Sequence, residues 1–252
     1  MRGLQGKVVI IAGAGGGIGE ATAERLAEEG ASVVVADIVK DNAYAVAESL
    51  RAFGGTALPV AYDQSDEESI RDLIATTVEQ FGKLDAVHAN AADLGAALRD
   101  TDARTVPLEV FDREVAVNQR GALLLTRYAV PHLVTSQGAI VYTSSASLYL
   151  AEPERVGFAM TKIASHALMH HVASRWGKEG VRANVVAPGL VLTQTVRDGL
   201  PPEHLDERIH EGRSTRLGEP ADIAALVAFL ISDDGSWING QTIAVDGGLT
   251  IS

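Results

Sequence analysis

The chain has 252 residues, no cysteine, and 21 Lys and Arg against 33 Asp and Glu, which gives a formal net charge of −12. Without cysteine it has no disulfide, thiol nucleophile or thiolate metal ligand, and we expect a reducing compartment, the cytoplasm. The negative charge disfavours nucleic acid and anionic lipid as partners, and no apolar run approaches the ~18 residues of a membrane span.

Short apolar runs alternate along the chain with segments of helical period, a pattern typical of βαβ units. The predicted strands are 8–12, 32–36, 57–61, 86–89, 139–143, 182–187 and 242–245. The predicted helices are 18–29, 43–53, 70–81, 111–133, 158–176 and 221–230. No linker divides them, so we predict a single domain over residues 1–252 with an α/β fold. Its core is a doubly wound (Rossmann) parallel seven-stranded sheet with helices on both faces, and its ligand crevice lies beyond the carboxyl ends of the strands.

A glycine-rich turn, AGAGGGIG at residues 12–19, follows the first predicted strand and opens the first helix. Gly13 permits a tight turn, and Gly19 allows the helix to pack closely on the strand. The helix N-terminus presents free N–H groups to phosphates, and the intervening glycines let a diphosphate approach the backbone. The predicted dinucleotide contacts here are Gly13, Gly15, Gly16, Gly17, Ile18 and Gly19.

Asp37 ends the second apolar run, 18 residues after Gly19, close to the spacing at which a carboxylate binds a ribose diol. A carboxylate at this point repels a 2′-phosphate, and neither the glycine turn nor Ile38 supplies an arginine to receive one. The sequence therefore predicts NAD as the cofactor rather than NADP, with Asp37 and Ile38 among its contacts. Lys40 is the one nearby cation that argues for the opposite preference.

Further motifs follow the later strands. They are Asn90-Ala91-Ala92, Asn118, Ser144-Ser145, FAMTK at 158–162, Pro188-Gly189 and Asp246-Gly247-Gly248. Together with the glycine turn they resemble the short-chain dehydrogenase/reductase family over essentially the whole chain. The spacing agrees as well, because Ser145 stands 13 residues before Phe158, which stands four before Lys162.

The resemblance implies a role for each matching position. Asn118 would hold an ordered water, Ser145 would hydrogen-bond the substrate oxygen, and Lys162 would bind the nicotinamide ribose. The remaining cofactor contacts implied in this way are Asp63, Asn90, Ala91, Pro188, Gly189, Val191 and Thr193. Among these, Asp63 would contact the adenine and Thr193 the region of the carboxamide.

Phe158 is the departure that affects chemistry, because the resembled family has a tyrosine there. Hydride transfer leaves a proton to be moved by a group that titrates near the working pH, and phenylalanine cannot titrate. Loss of such a group typically lowers the rate by ~10² to 10⁴. We count Phe158 with Asn118, Ser145 and Lys162 in the predicted catalytic set.

Three explanations of Phe158 stay open: a deliberate substitution, a natural variant whose proton passes through another group, and a protein that binds NAD without turnover. The near-isosteric change beside otherwise intact catalytic positions favours the first. Tyr142 and Tyr149 are the nearby phenols. Tyr142 is expected to pack in the core with a satisfied hydroxyl, and Tyr149 to line the substrate pocket.

Residues 190–216 form a predicted lid over the crevice, with His204 and His210 in it. Its apolar residues, with Leu94, Leu148 and Tyr149, indicate a hydrophobic or cyclic substrate, although ordinary lid packing explains them equally well. The predicted substrate-pocket residues are Ser145, Tyr149 and Leu190. His166 and His170 have helical spacing, but no acidic or cysteine ligand near them completes a metal site, so none is predicted.

We therefore interpret the chain as an NAD-dependent oxidoreductase that interconverts a secondary alcohol and a ketone, with activity impaired by Phe158. A non-catalytic NAD-binding regulatory protein is the alternative. An enzyme of the same fold that dehydrates or isomerises its substrate is a third. Helices 111–133 and 158–176 are apolar on more than one face, and the resemblance implies that they pair in a homotetramer.

Overall fold

The computed structural model describes residues 1–199, 209 and 213–251. Seven strands form one sheet in the order β3-β2-β1-β4-β5-β6-β7, and each neighbouring pair is parallel. Strands β1 to β7 are Val8–Ala12, Ser32–Asp37, Thr56–Ala61, Ala86–Ala89, Ala139–Thr143, Arg182–Pro188 and Thr242–Val245. The predicted doubly wound sheet is confirmed, and most strand boundaries agree to within one residue.

The helices lie on both faces of this sheet. Helices α1 to α9 are Gly17–Glu28, Lys40–Ala52, Glu67–Phe81, Leu94–Ala97, Leu108–Glu114, Gly121–Ser136, Val156–Trp176, Gln194–Gly199 and Pro220–Ile231. A π-helical segment, Val115–Arg120, joins α5 to α6, so the predicted single helix over 111–133 is a longer helical run with a change of pitch inside it. Of the helices described, none combines the length and hydropathy needed to cross a membrane.

The predicted lid is partly helical, because α8 covers residues 194–199 and Val191 forms a β-bridge with Gly218. His204 and His210 lie outside the described residues.

Successive side chains along each strand point to opposite faces of the sheet, so the core has two layers. On β1, Val9 and Ile11 pack toward α1, α2 and α9, while Ile10 and Ala12 pack toward α3, α6 and α7. Burial on both faces explains why this strand is apolar at every position. Such a two-sided core fixes the sheet register, and it thereby fixes which residues stand at the strand ends.

The strand order reverses between β1 and β4, which is where doubly wound sheets bind ligands. The glycine turn follows β1, and Asn90-Ala91 follows β4. The fold therefore brings two of the predicted cofactor motifs to the same point at the carboxyl edge of the sheet.

Gly19 is the position at which α1 approaches the turn most closely. A Cβ atom there would stand 1.9 Å from the backbone oxygen of Gly13, whereas one at Gly16 would have no atom within 4 Å. We predict that Gly19→Ala lowers the free energy of unfolding by about 1–3 kcal/mol, because backbone must move to admit the methyl group. Urea unfolding measures this, with Gly16→Ala as the control. Equal effects of the two substitutions would contradict the packing described.

Candidate functional site

The glycine turn is held against the segment after β4. Gly13 has φ of +77°, and a Cβ on it would lie 2.8 Å from Cα of Ala91. Asn90 donates a hydrogen bond from Nδ2 to the backbone oxygen of Gly13, 3.0 Å away. Only glycine meets both the left-handed backbone and the close approach at this point.

Asp37, at the end of β2, holds the other side of the turn. Its Oδ2 accepts a hydrogen bond from N–H of Gly15 at 2.8 Å, and its Oδ1 accepts one from N–H of Val39 at 2.9 Å. A Cβ on Gly15 would stand 2.7 Å from Cγ of Asp37, so a larger residue would displace the carboxylate. The neighbouring Ile38 is 60% exposed, and its side chain therefore faces outward.

Two other predicted segments reach the same edge. Asp63 lies two residues beyond β3, the neighbour of β2, and its Oδ1 accepts hydrogen bonds from both N–H and the hydroxyl of Ser65. On the opposite side, Thr193 approaches the turn, because a Cβ on Gly17 would lie 3.0 Å from its Cγ2. Pro188 ends β6, and four residues, Gly189, Leu190, Val191 and Leu192, connect it to Thr193.

The residues at this edge fit a dinucleotide. The turn offers the N-terminus of α1 with no side-chain cap, and the position of a Cβ on Gly16 is open. Free N–H groups and the helix dipole at such a terminus favour phosphate oxygens. Asp37 supplies a carboxylate one strand away, at the distance in sequence that suits a ribose diol. The prediction of residues 13–19 and Asp37 as one site is thus geometrically consistent.

Lys162 lies one helical turn after Phe158 on α7 and is 6% exposed. Its Nζ donates a hydrogen bond to the backbone oxygen of Thr143 at 3.0 Å and stands 5.6 Å from the centre of the Phe158 ring. Burial lowers the pKa of Lys162 to about 8, and the negative charge of Glu114 opposes this shift. The buried amine therefore titrates near the pH at which enzymes commonly work.

Ser145 and Asn118 flank this lysine. Ser145 follows β5, and its Oγ lies 2.8 Å from Oγ of Ser147 in a 3₁₀ turn, Ala146–Tyr149, that packs against α7. Asn118 is buried in the π-helical segment, where its Oδ1 accepts from N–H of Asp93 and its Nδ2 donates to the hydroxyl of Thr161. Four predicted catalytic positions therefore meet at the end of β5.

A buried carboxyl pair, Glu114 and Asp100, was not foreseen from the sequence. Glu114 has no exposed surface, and its two side-chain oxygens have no hydrogen-bond partner among the described residues. Asp100 is 5% exposed, and its Oδ2 accepts a hydrogen bond from N–H of Phe158 at 2.9 Å. Burial, followed by the charge of Asp100, raises the pKa of Glu114 to about 7. The sequence feature that could have revealed Glu114 is its spacing, since it stands one helical turn before Asn118 and therefore on the same face of the helix.

His88 is a second unforeseen buried group. Its Nε2 lies 2.8 Å from the hydroxyl of Thr143, whose backbone oxygen holds Lys162. Burial, followed by the charge of Lys162, lowers the pKa of His88 to about 3, so the ring is neutral. His88 therefore supports the lysine without competing for protons near neutral pH.

The two phenols near the site differ in surroundings. Tyr142 is buried, with its hydroxyl 2.8 Å from that of Thr126, as the sequence indicated. Tyr149 is 52% exposed at the end of the 3₁₀ turn. Leu190 lines a cavity of about 330 Å³ with Val245 and Leu249, and Tyr149 is not among the residues that line it. The membership of Tyr149 and Leu190 in one substrate pocket stays a prediction.

Comparison with known proteins identifies the family. A family model described as enoyl-(acyl carrier protein) reductase matches residues 13–250. The chain belongs to the short-chain dehydrogenase/reductase family, and it is an oxidoreductase.

Several relatives match over their full length. The 7alpha-hydroxysteroid dehydrogenase of Bacteroides fragilis is 34% identical, with 100% of this chain and 97% of the relative covered. The meso-2,3-butanediol dehydrogenase of Serratia marcescens is 38% identical, with 98% and 95% covered. Among solved structures, 7 alpha-hydroxysteroid dehydrogenase complexed with NADH and 7-oxo glycochenodeoxycholic acid superimposes with a TM-score of 0.91 at 31% identity, covering 98% of this chain and 95% of that one.

The raised pKa of Glu114 makes stability depend on pH. A carboxyl group whose pKa rises from 4.5 to about 7 on folding stabilises the fold below its unfolded pKa, and that stabilisation is lost as pH rises through 7. We predict that Glu114 alone contributes a fall of about 1–3 kcal/mol in the free energy of unfolding from pH 5 to 8, while the lowered pKa of His88 contributes a rise over the acidic part of that range. In Glu114→Gln this fall should be largely absent, whereas Glu109→Gln, an exposed change on the same helix, should retain it. Denaturant titrations across that range measure it, and parallel curves for all three chains would contradict the assignment.

Proposed function

We propose that this chain is an NAD-dependent oxidoreductase that interconverts a secondary alcohol and a ketone, on a hydrophobic or cyclic substrate. The observation that carries the proposal is that the glycine turn and the region of Lys162 lie side by side at the carboxyl edge of the sheet. The turn at Gly13 contacts Ala91, and Lys162 is fixed to the end of the next strand, β5, through Thr143. Cofactor cradle and polar catalytic positions are therefore neighbours.

The cofactor contributes a hydride donor or acceptor at its nicotinamide ring. Within the chain, the glycine turn and the N-terminus of α1 would bind the diphosphate, and Asp37 would bind the adenosine ribose. Lys162 would bind the nicotinamide ribose, and Thr193 the region of the carboxamide. The NADH held in the solved hydroxysteroid dehydrogenase complex supports the same cofactor for this chain.

The substrate oxygen would lie beside Ser145, whose hydroxyl is a hydrogen-bond donor at the crevice. Asn118 and Lys162 surround the same point from the π-helical segment and α7. Relatives named for a hydroxysteroid and for butanediol support a secondary alcohol as the reacting group. The steroid relative and Tyr149 together favour a cyclic substrate.

Phe158 would weaken this activity, because the ring beside Lys162 carries no exchangeable proton. The fold around it is intact, with N–H of Phe158 bonded to Asp100 and Lys162 held by Thr143. The expected impairment therefore lies in proton transfer and not in cofactor binding.

Asp37 tests the cofactor preference. We predict that Asp37→Asn weakens NADH binding about tenfold and strengthens NADPH binding, because the carboxylate that binds the diol and repels a 2′-phosphate loses its charge. Fluorescence titration with both cofactors measures the two Kd values. Asp72→Asn, an exposed change on α3, is the control for net charge. Tighter NADPH than NADH binding by the unsubstituted chain would contradict the preference for NAD.

Phe158→Tyr tests the impairment. Restoring a phenol one turn before Lys162 should raise turnover by ~10² to 10⁴ while the Kd for NADH stays within about twofold. The assay follows NADH absorbance with cyclic, aromatic and steroid secondary alcohols and with meso-2,3-butanediol. Phe53→Tyr, the same change at an exposed phenylalanine, should have no effect. Equal turnover of the Phe158→Tyr and unsubstituted chains would contradict the proposal.

A non-catalytic NAD-binding protein is the alternative, and the altered position 158 is the observation that favours it. Such a protein would bind NADH but would convert none of these substrates even as Phe158→Tyr. The same pair of measurements therefore separates the two functions.

We also propose a homotetramer, located in the cytoplasm as the absence of cysteine favours. Helices α6 and α7 expose apolar side chains beside a groove of about 270 Å³. Leu123, which lines this groove, and Met160 and Ile163 of α7 are each about half exposed, which supports burial against another copy.

A further inference from the structure

The carboxyl pair lies directly behind the catalytic helix. A Cβ on Gly157 would stand 2.3 Å from Oε2 of Glu114 and 3.5 Å from Oδ2 of Asp100, so the missing side chain at Gly157 makes the space for the Glu114 carboxyl group beside Asp100. One turn further along the two helical runs, Asn118 meets Thr161. Glu114 and Lys162 thus belong to the same interface between α5, the π-helical segment and α7.

The arrangement favours a shared proton. Three oxygens of the pair, both of Glu114 and Oδ1 of Asp100, are buried and have no donor among the described residues. Two adjacent buried carboxylates repel each other, and one proton shared between an oxygen of each removes the repulsion and satisfies those two oxygens. The charged groups that face Glu114 are Asp100, Asp93 and Lys162. Since Arg113 already pairs with Asp93, the amine of Lys162 is the cation left to exchange with the pair.

We propose that Glu114 and Asp100 hold one proton behind Lys162 and deliver it to the substrate oxygen through the Lys162 ammonium, in place of the phenol that position 158 lacks. This inference rests on the proposed oxidoreductase function. It makes the carboxyl pair a proton reservoir that acts through Lys162 and does not itself contact the substrate.

The proton balance closes for ketone reduction. The carbonyl carbon gains the hydride that NADH supplies, and the carbonyl oxygen gains a proton from the Lys162 ammonium. The neutral amine then regains the proton of Glu114 through a bridging water, because no hydrogen bond or ion pair of 4 Å or less joins the two described side chains and the unpartnered Glu114 oxygens can hold such a water. The carboxyl pair takes a proton from solvent, so one proton is consumed per alcohol formed.

The first test is spectroscopic and needs no turnover. Infrared pH titration of the unsubstituted chain should reveal a protonated carboxyl C=O stretch with a midpoint near the pKa of about 7 given for Glu114. This band should vanish in Glu114→Gln and persist in Glu109→Gln. Asp100→Asn should shift its midpoint to lower pH, because a facing negative charge is removed. The absence of any band that depends on Glu114 would overturn the proposal.

The second test is a double-mutant cycle of Glu114→Gln and Phe158→Tyr, with cyclohexanone and 7-oxo glycochenodeoxycholic acid as probes and NADH Kd measured for every chain. With Phe158 present, Glu114→Gln should lower kcat/KM at least about tenfold and remove the pH dependence near 7. In the Phe158→Tyr background the same change should have less than about a twofold effect, because the phenol supplies the proton.

The outcomes separate the two proposals. If Glu114→Gln lowers kcat/KM equally with and without Phe158→Tyr, the role of Glu114 is merely structural. That result would overturn the proton reservoir but not the oxidoreductase function. The reservoir would also be overturned if the Phe158→Tyr chain reduces a ketone that the unsubstituted chain does not reduce at all. No saturable NADH binding, or no turnover in either background, would contradict the oxidoreductase function and the reservoir with it.

Discussion

The burial of the Lys162 ammonium is the constraint on which the rest of the site depends. A charged amine at 6% exposure is stable only if its surroundings compensate for lost water. Here the backbone oxygen of Thr143, the face of the Phe158 ring and the charge of Glu114 do so together. Each of these partners comes from a different element, so the sheet, α5 and α7 must all assemble before the lysine is held.

The cofactor half of the site depends instead on shape. Gly13 and Gly15 are limited by contacts with Ala91 and Asp37, and these contacts leave no room for side chains. The N–H groups of Gly13 and Gly15 are themselves bonded to Ala36 and Asp37, so the part of the turn that favours phosphate is the N-terminus of α1 at Gly17, which has no side-chain cap. The glycine turn lies at the ends of β1 and β2 whereas Phe158 lies on α7, so we expect substitutions in one half of the site to leave the other half intact.

Much of this was predictable from the sequence because the governing signals are local. Strand β1 is buried on both faces, so it is apolar throughout, and glycines end it at once. The spacing from Gly19 to Asp37 likewise follows from one helix and one strand. The π-helical segment at Val115–Arg120 was not predicted, because a change of helical pitch leaves the apolar pattern nearly unaltered. The pairing of Glu114 with Asp100 was missed since it depends on the space at Gly157, a contact distant in sequence.

The central claim is that proton chemistry at this site belongs to Lys162 under the influence of Glu114. The most direct measurement is NMR titration of the labelled Lys162 amine, assigned with Lys162→Arg. The account predicts a midpoint near the pKa of about 8, and a lower one in Glu114→Gln, because the stabilising negative charge is gone. A midpoint at the ordinary value of 10.5, unchanged by Glu114→Gln, would contradict it.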